Sequence, residues 1–321
     1  MLSPFRSFVR SPRLGRLIAT HSSVNPDEIS HFSNLSAHWW DEHGEFEFLH
    51  KMNPVRMTFV RQKLLEAARD DGTDPNPAQV LANLDVLDVG CGGGLLSESL
   101  ARLGANTLGI DASEKNIGIA RQHASTDPRL APTSPHSSLM YQHTTAEALL
   151  EQPKQFDVVC SMEVLEHVDN PASFLSTCAE LVKPGGHLFL STISRTPLAY
   201  FLTIFMAQDV LRKVSPGTHT YSKYIKPSEL IQFFETYRPP TPPAPVPSLR
   251  ESVTLADSLT SSARPWITRH SDTYLPRTQV DVRGLIYNPV FGNWHLAPKD
   301  AWGSLECNYI FWVRKPKEID S

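Results

Sequence analysis

Residues 86–94 read Val86-Leu87-Asp88-Val89-Gly90-Cys91-Gly92-Gly93-Gly94, and the neighbouring sequence is arranged about them. The first four residues predict a short buried strand, and the glycines predict a loop that leads into a helix over Leu95–Arg102. Because glycine has no Cβ atom, a ligand can approach the backbone of such a loop closely. The free N–H groups at the start of the helix would point towards that ligand. The segment therefore predicts a binding site at the end of a strand.

Two carboxylates narrow down the kind of ligand. Asp88 lies within the predicted strand, and a second predicted strand, Thr107–Ile110, is followed by Asp111. An acidic side chain about 20 residues beyond a glycine loop meets ribose hydroxyls in nucleotide-binding folds. The loop contains no lysine of the kind that binds phosphate in a P-loop. The stretch from Asp88 to Asp111 resembles the S-adenosylmethionine site of class I methyltransferases; the alternative is a loop whose glycines only permit tight packing.

The composition is that of a globular protein. The chain has 321 residues, of which 40% are hydrophobic and 20% charged, so one large domain or two small ones are expected. A formal charge of −4 argues against a nucleic-acid partner. The four cysteines form no C-x-x-C pair, and we expect all of them to be reduced. No apolar run reaches ~18 residues, so no membrane span is predicted.

The first 22 residues have a different character. They contain Arg6, Arg10, Arg13 and Arg16 together with serines, and the first acidic residue of the chain is Asp27. An arginine-rich, acid-free, amphipathic start is typical of a mitochondrial transit peptide. We therefore predict a transit peptide over residues 1–22 and a catalytic domain over residues 27–316. A disordered basic arm is the alternative for the first segment.

Strands and helices alternate through the middle of the chain. The predicted strands are Val86–Val89, Thr107–Ile110, Leu139–His143, Phe156–Met162, His187–Thr192, Gln279–Tyr287 and Asn308–Arg314. This alternation predicts an α/β fold of the Rossmann-like type, a mostly parallel seven-stranded sheet with helices on both faces. Ligands of such sheets bind at the carboxyl ends of the strands. Glu147, just after the third strand, occupies a position that contacts adenine in this fold.

Four segments outside the strands also carry expectations. Pro26–Trp40 and Pro54–Asp70 predict helices, and the bare sequence favours a solvated charge for Arg56 at the start of the second. Residues 196–216 are densely apolar and flanked by cations, which predicts either a membrane-associating helix or a core helix. Residues 238–272 are rich in proline and serine and predict an extended surface insert.

A second group of polar residues follows the fourth strand. If Met162–Val168 turns helically, Glu163, Glu166 and His167 can face the same way. Two carboxylates and an imidazole at this end of the sheet would suit a hard divalent cation such as Mg²⁺. The alternative is that these residues pack near a cofactor without binding a metal.

Several segments together resemble one family, the ubiquinone-biosynthesis O-methyltransferases, including the mitochondrial members. The resemblance covers about Asp27 to Val313, and it is carried by Phe32–Trp40, Gly44-Glu45-Phe46, Leu49–Arg56, Leu87–Leu96, Cys160–Val168, Gly217-Thr218-His219, Ile225-Lys226-Pro227 and Tyr287-Asn288-Pro289. The resemblance implies that residues from each part of the fold contact S-adenosylmethionine, namely Arg56, Gly90, Gly92, Asp111, Met162 and Glu147. It also implies that Glu163, Glu166 and His167 hold a divalent metal, and that residues 196–216 associate with a membrane.

The resemblance further implies an activity and a place in the cell. The expected reaction is methylation of a catechol hydroxyl on polyprenyl dihydroxybenzoate and demethylubiquinol-type compounds, with His219 as a candidate proton acceptor. The expected location is the matrix side of the mitochondrial inner membrane, as a peripheral protein in a biosynthetic complex. Two other classes remain open: a soluble methyltransferase with a non-catechol acceptor, and a non-catalytic scaffold subunit.

Overall fold

The computed structural model describes residues 23–131, 138–215, 217–239, 264–269 and 275–317. The predicted transit peptide and most of the predicted insert at 238–272 lie outside these ranges. All four cysteines lie inside them and are unpaired, as expected from their spacing.

A single eight-stranded sheet forms the centre of the molecule. Its parallel half contains β1 (Asp85–Val89), β2 (Asn106–Asp111), β3 (Leu139–His143), β4 (Phe156–Met162) and β5 (Val182–Ile193). Its antiparallel half contains β6 (Val280–Asn288), β7 (Asn293–Leu296) and β8 (Asn308–Arg314). The strand order is β3-β2-β1-β4-β5-β8-β6-β7. The strand order reverses beside β1, and this is where ligands bind in open α/β sheets.

Helices cover both faces of the sheet, which confirms the predicted fold class. They are α1 (Pro26–Leu35), α2 (Glu47–Asp70), α3 (Leu95–Arg102), α4 (Glu114–Ala124), α5 (Ala146–Leu149), α6 (Pro171–Glu180), α7 (Pro197–Ala199) and α8 (Pro227–Thr236). On one face, α6 and α8 pack against β4 and β5. On the other face, α2 and α3 pack against alternate residues of the same sheet. The two apolar layers follow from the two-residue period of the strands.

The predicted count of seven strands was wrong by one. The additional strand, β7, is a four-residue edge strand that pairs with β6 through the turn at residues 289–292. The side chain of Asn288 accepts hydrogen bonds from the N–H groups of Val290 and Phe291 and so holds this turn. A strand this short has no sequence period, and only its pairing with β6 defines it.

The second helix begins earlier than predicted. Proline usually marks a helix start, so Pro54 suggested the first turn, but α2 begins at Glu47 and contains Pro54. Met52 and Asn53 are buried on the N-terminal side of this proline. Their burial stabilises the two extra turns against the local cost of the proline.

The predicted surface insert is wrong for residues 264–269. Trp266 and Ile267 are both about 1% exposed, and their N–H groups donate hydrogen bonds to the carbonyl of Phe234 at the end of α8. The indole also packs on the ring of Phe234. A single aromatic residue thus anchors this part of a polar segment in the core, because its burial outweighs the polar character of its neighbours.

The apolar segment near residue 200 lies at the surface. α7 continues into a π-helix over Tyr200–Val210, in which only Gln208 is buried. Most of its large apolar side chains are exposed, including Phe201 at 47% and Phe205 at 45%, whereas Ile204 and Met206 are half-buried. The prediction of a core helix is therefore wrong for this segment. Within the described ranges, no helix combines the length and the apolar character needed to span a bilayer.

Candidate active site

A cavity of about 720 Å³ opens at the carboxyl ends of β1, β2 and β4. The ends of these strands form its floor, α1 and Trp39 form one wall, and the π-helix and the β6–β7 hairpin form the other. Its volume falls in the range of small-molecule sites, about 300–1,000 Å³. The cavity lies where the sheet topology predicts a ligand.

The glycine loop forms part of the cavity lining. Gly90 and Gly92 line it, and both have a left-handed backbone, with φ of 73° and 54°. A Cβ atom on Gly90 would approach the side chain of Val164 to 2.5 Å, and one on Gly92 would run into the ring of Trp39. Both the backbone conformation and the available space therefore require glycine at these positions.

Asp111 joins the glycine loop to the next helix. Its carboxylate accepts hydrogen bonds from the N–H groups of Gly92 at 2.9 Å and Ser113 at 2.8 Å, and from the amide of Asn116 at 3.3 Å. Burial raises the pKa of Asp111, while these donors oppose the rise. The side chain lies on the cavity wall, at the start of α4, as predicted for a ribose-binding acid.

Two further predicted cofactor residues also line the cavity. Met162 lies at the end of β4, and Glu147 lies in the short helix α5 after β3. The carboxylate of Glu147 accepts hydrogen bonds from both the N–H group and the hydroxyl of Ser23. Ser23 thus covers the part of the cavity where adenine was expected.

Arg56 lies behind the cavity wall and does not line it. Its Nη2 is 3.3 Å from Oε1 of Glu163, and the side chain is only 4% exposed, so the expectation of a solvated charge is wrong. Among the described residues, Nε and Nη2 of Arg56 have no hydrogen-bond partner. A buried guanidinium with free donors beside the site is suited to a carboxylate ligand.

The two glutamates after β4 form a buried acidic pair. Glu163 has a left-handed backbone with φ of 55° and precedes the 3₁₀ turn at Leu165–His167, so the predicted continuous helical turn is wrong. Ser191 donates a hydrogen bond to Glu163 at 2.6 Å, and Thr192 donates one to Oε2 of Glu166 at 2.6 Å. Burial, together with the charge of Glu163, raises the pKa of Glu166 to about 7.

This pair meets part of what a divalent cation requires. Glu163, Glu166 and His167 all line the cavity, and Oε1 of Glu166 is buried without a partner in the described chain. Nδ1 of His167, however, is 3.0 Å from a carboxylate oxygen of Glu28 on α1. Nowhere in the described ranges do three His, Cys, Asp or Glu side chains converge closely enough to hold a metal ion. The predicted three-residue set is thus not assembled, although the two carboxylates fit a hard cation.

His219 lines the same cavity on the loop after the π-helix. Its ring lies 6.2 Å from that of His167, and its Nδ1 is buried with no partner among the described residues. Burial and the neighbouring histidine lower the pKa of His219 to about 4, so the ring is neutral at pH 7. A neutral imidazole with an unpartnered nitrogen can exchange a hydrogen bond with a hydroxyl ligand.

Helix α1 and the tryptophans after it also contribute to the site. Nε1 of Trp39 donates a hydrogen bond to Asn116 at 3.0 Å, and the indole covers the glycine loop. Phe32 of α1 packs edge-on against His167, with ring centroids 4.9 Å apart. Trp39 therefore lies over the glycine loop, at the cavity wall.

Comparisons with known proteins agree with this arrangement. A family model for a methyltransferase domain matches residues 48–237. A ubiquinone biosynthesis O-methyltransferase of Sinorhizobium medicae (strain WSM419) is 38% identical over 92% of this chain and 97% of its own. The chain belongs to the ubiquinone biosynthesis O-methyltransferases. A mitochondrial ubiquinone biosynthesis O-methyltransferase of Arabidopsis thaliana is 36% identical over 95% of this chain and 78% of that protein.

A solved structure supports the fold of this ubiquinone biosynthesis O-methyltransferase. The plantazolicin methyltransferase BamL, in complex with a substrate analogue and SAH, has a TM-score of 0.50 and 14% identity over 91% of this chain and 97% of its own. At this identity the likeness concerns the fold alone. Family membership makes the protein an S-adenosylmethionine-dependent O-methyltransferase, and the cavity beside the glycine loop is its candidate active site.

Proposed function

We propose that this enzyme transfers a methyl group from S-adenosylmethionine to a catechol hydroxyl of polyprenylated intermediates of ubiquinone biosynthesis. One observation carries the proposal: a single cavity joins the glycine loop to an acidic pair and to a neutral histidine. The glycine loop suits the methyl donor, whereas the other groups suit an acceptor with adjacent hydroxyls. The relatives are named as O-methyltransferases of ubiquinone biosynthesis, which supports this class of acceptor.

The cofactor would lie along the carboxyl ends of the parallel strands. Gly90 and Gly92 offer backbone to it, Asp111 would meet the ribose hydroxyls, and Met162 with Glu147 would flank the rest of the nucleoside. Binding near Glu147 requires Ser23 to share or release that carboxylate. Arg56 supplies a buried positive charge beside the site and would attract the methionine carboxylate across Glu163.

The acceptor must lose a proton as the new bond forms. The phenolic oxygen attacks the sulfonium methyl, the O–C bond forms, and the S–C bond breaks with its electrons left on sulfur. An ordinary phenol has a pKa of about 10 and is mostly protonated at pH 7. His219, with its pKa of about 4, is a weak base. It would therefore accept the hydrogen bond of the reacting hydroxyl and take its proton during methyl transfer rather than before it.

We further propose that Mg²⁺ or a similar cation binds at the acidic pair. Glu163 and Glu166 would hold it, and His167 would join them only after releasing Glu28. A bound divalent cation lowers the pKa of a coordinated hydroxyl and so favours the phenolate. Glu166 must be ionised for this role. We therefore expect cation binding to weaken as the pH falls below about 7.

Residues 196–216 would bring the enzyme to the membrane that contains its acceptor. The exposed face of the π-helix includes Phe201 and Phe205, and Arg212 and Lys213 follow it at the surface. Apolar side chains next to cations suit the interface of a membrane with anionic lipids. We propose a peripheral position on the matrix side of the mitochondrial inner membrane, within a biosynthetic complex. The predicted transit peptide and the mitochondrial relative support the mitochondrial location in this proposal.

Methyl transfer to a polyprenyl catechol tests the reaction and the metal together. We expect turnover to fall at least about tenfold after chelation, to return with Mg²⁺, and to fall in Glu163→Ala and Glu166→Ala. Glu151→Ala is the control, because Glu151 is exposed and does not line the cavity. Full activity in chelator and in both site variants would exclude the metal role. Absence of turnover on any catechol, with S-adenosylmethionine still bound, would favour a scaffold subunit instead.

Vesicle flotation tests the membrane role of the π-helix. The double variant Phe201→Glu/Phe205→Glu should remain in the lipid-free bottom fraction of the gradient, because charged side chains oppose insertion into the lipid interface. Both residues are exposed, so the variant should fold normally. Flotation equal to that of the wild type would count against a membrane role for this helix.

A further inference from the structure

Three of the most exposed large apolar side chains lie outside the π-helix. Val290 and Phe291, at the turn of the β6–β7 hairpin, are 83% and 77% exposed, and Trp302 in the following loop is fully exposed. Solvent-exposed indoles and phenyl rings at loop tips are unfavourable in water and suit an interface with lipid. We call Val290, Phe291 and Trp302 the hairpin patch.

The hairpin patch borders the mouth of the active-site cavity. Pro289, next to Val290, lines the cavity, and so do Gly303 and Ser304, next to Trp302. Leu198, Phe201 and Leu202 of the α7/π-helix segment line the same cavity. Two apolar surfaces therefore adjoin one cavity.

Contacts in the structure fix the positions of these two surfaces. The N–H group of Ser194 donates to the carbonyl of Cys307 at 2.8 Å, and the hydroxyl of Thr196 donates to the carbonyl of Glu306, which ties the Trp302 loop to the start of the apolar segment. At its other end, Lys213 pairs with Glu47 of α2 at 3.2 Å. The next residue, Phe48, packs edge-on against Tyr287 of the hairpin. The start of α2 thus contacts the segments that carry both surfaces.

We propose that the hairpin patch is a second membrane-inserting surface, so that two apolar contacts hold the cavity mouth against a lipid bilayer. The inference rests on the proposed function in one respect, since it takes the acceptor to be a lipid-soluble molecule that enters by this mouth. With the π-helix alone, the protein could rotate about a single line of contact. A second contact, on a separate loop beside the same cavity, would fix its orientation and let a polyprenyl tail remain in the bilayer during methylation.

A bilayer fits this patch better than a protein partner does. The three side chains project from two separate loop tips and form no continuous groove for a partner helix or strand. The exposed charges beside Trp302 are Lys299, Asp300 and Glu306, which sum to −1, so insertion here depends on apolar burial and not on anionic lipid. The π-helix, in contrast, is followed by cations.

The experiment compares binding to phosphatidylcholine vesicles among matched variants of the full chain. We expect Phe291→Ser and Trp302→Ser each to weaken vesicle binding several-fold, and together by more than about tenfold. Met140→Ser is the control, because Met140 is 61% exposed on β3, at the opposite edge of the sheet from β7. The loss of vesicle binding in the hairpin variants should be nearly independent of salt concentration. The contribution of the π-helix to vesicle binding should fall as the salt concentration rises.

Two further measurements separate this proposal from the proposed function. Trp302 fluorescence, taken as the difference between wild type and Trp302→Phe, should shift to the blue on vesicles. Turnover of a water-soluble catechol should remain unchanged in the hairpin variants, while turnover of a vesicle-bound polyprenyl catechol falls. If the hairpin variants lose vesicle binding but the wild type methylates no catechol, the membrane-inserting surface is supported and the proposed function fails.

Two outcomes would overturn the proposal. One is vesicle binding by the hairpin variants that equals that of the wild type, together with a Trp302 fluorescence spectrum that vesicles do not change. The other is self-association of the wild type in the absence of lipid that Phe291→Ser abolishes, since the patch would then be an interface between two copies of the chain.

Discussion

Asp88, a buried carboxylate beside the glycine loop, makes the free energy of unfolding depend on pH. It is 2% exposed beneath the loop, and the hydroxyl of Ser97 donates a hydrogen bond to its carboxylate at 2.6 Å. Burial raises the pKa of Asp88 to about 6, although Ser97 and the charge of Arg56 oppose the rise. Between pH 4 and 6 the folded state therefore binds more protons than the unfolded state, and the free energy of unfolding falls as the pH rises through this window.

Asp88→Asn should remove this loss of stability. The free energy of unfolding of the variant minus that of the wild type should rise by up to about 3 kcal/mol from pH 4 to pH 8, because asparagine stays neutral while Asp88 ionises. Urea unfolding of the cofactor-free protein at both pH values measures the difference. Asp71→Asn is the control of opposite sign, since Arg314 and Lys317 lower the pKa of Asp71 to about 2. A pH-independent difference for Asp88→Asn would contradict the expected titration.

Gly92 tests the requirement for a residue without a side chain in the loop. Gly92→Ala should weaken S-adenosylmethionine binding at least about tenfold, because the new methyl group displaces the indole of Trp39 that covers the loop. Equilibrium dialysis with labelled cofactor measures the affinity. Gly72→Ala has a similar left-handed backbone, with φ of 78°, and no atom within 4 Å of the new methyl group. It shares the backbone strain of about 1 kcal/mol and should leave affinity unchanged.

At the scale of elements, helix α1 closes one side of the site through one carboxylate. Glu28 lies 3.0 Å from both His167 and Lys223, which belong to two different parts of the fold. Burial opposes ionisation of Glu28, but the two partners together lower its pKa below the ordinary value. This contribution to docking is therefore present above about pH 4.5 and is lost as the pH falls below that value.

Glu28→Gln should loosen α1 and speed release of the cofactor. We expect a several-fold increase in the dissociation rate of S-adenosylhomocysteine, because the substitution removes the charge that holds His167 and Lys223. Stopped-flow displacement measures this rate. Asp27→Asn is matched in charge and lies in the same helical turn, but Asp27 is exposed. Equal rates in the two variants would show that α1 does not gate the cofactor.

At the scale of the whole molecule, the segment around Trp266 completes the core. Its indole is buried against Phe234 and Tyr237 at the end of α8. Trp266→Ala should lower the free energy of unfolding by about 3–5 kcal/mol, as expected for a large cavity in a packed interior. Trp302→Ala, at a fully exposed tryptophan, should change it by less than about 0.5 kcal/mol. Urea unfolding of both variants tests the assignment, and a small effect for Trp266 would place the segment outside the core.

The local pattern from Asp85 to Asp111 was sufficient to predict β1, α3, β2 and the cofactor loop. The predicted bounds of α3, Leu95–Arg102, agree with the structure, and those of both strands differ by one residue at their ends. These features depend on apolar periodicity and glycine content, which are properties of adjacent residues. The placement of Glu163, Glu166 and His167 at one cavity also followed from their position after a parallel strand.

Only the tertiary structure decided which of these groups touch each other. Arg56 pairs with Glu163, His167 pairs with Glu28 instead of completing a metal site, and Trp266 enters the core from a polar segment. Such contacts join residues far apart in the chain, so their energies depend on how helices and sheet pack and on no local pattern. The exposed face of the π-helix was undecided for the same reason, because an apolar helix is equally compatible with a core and with a surface until its neighbours are placed.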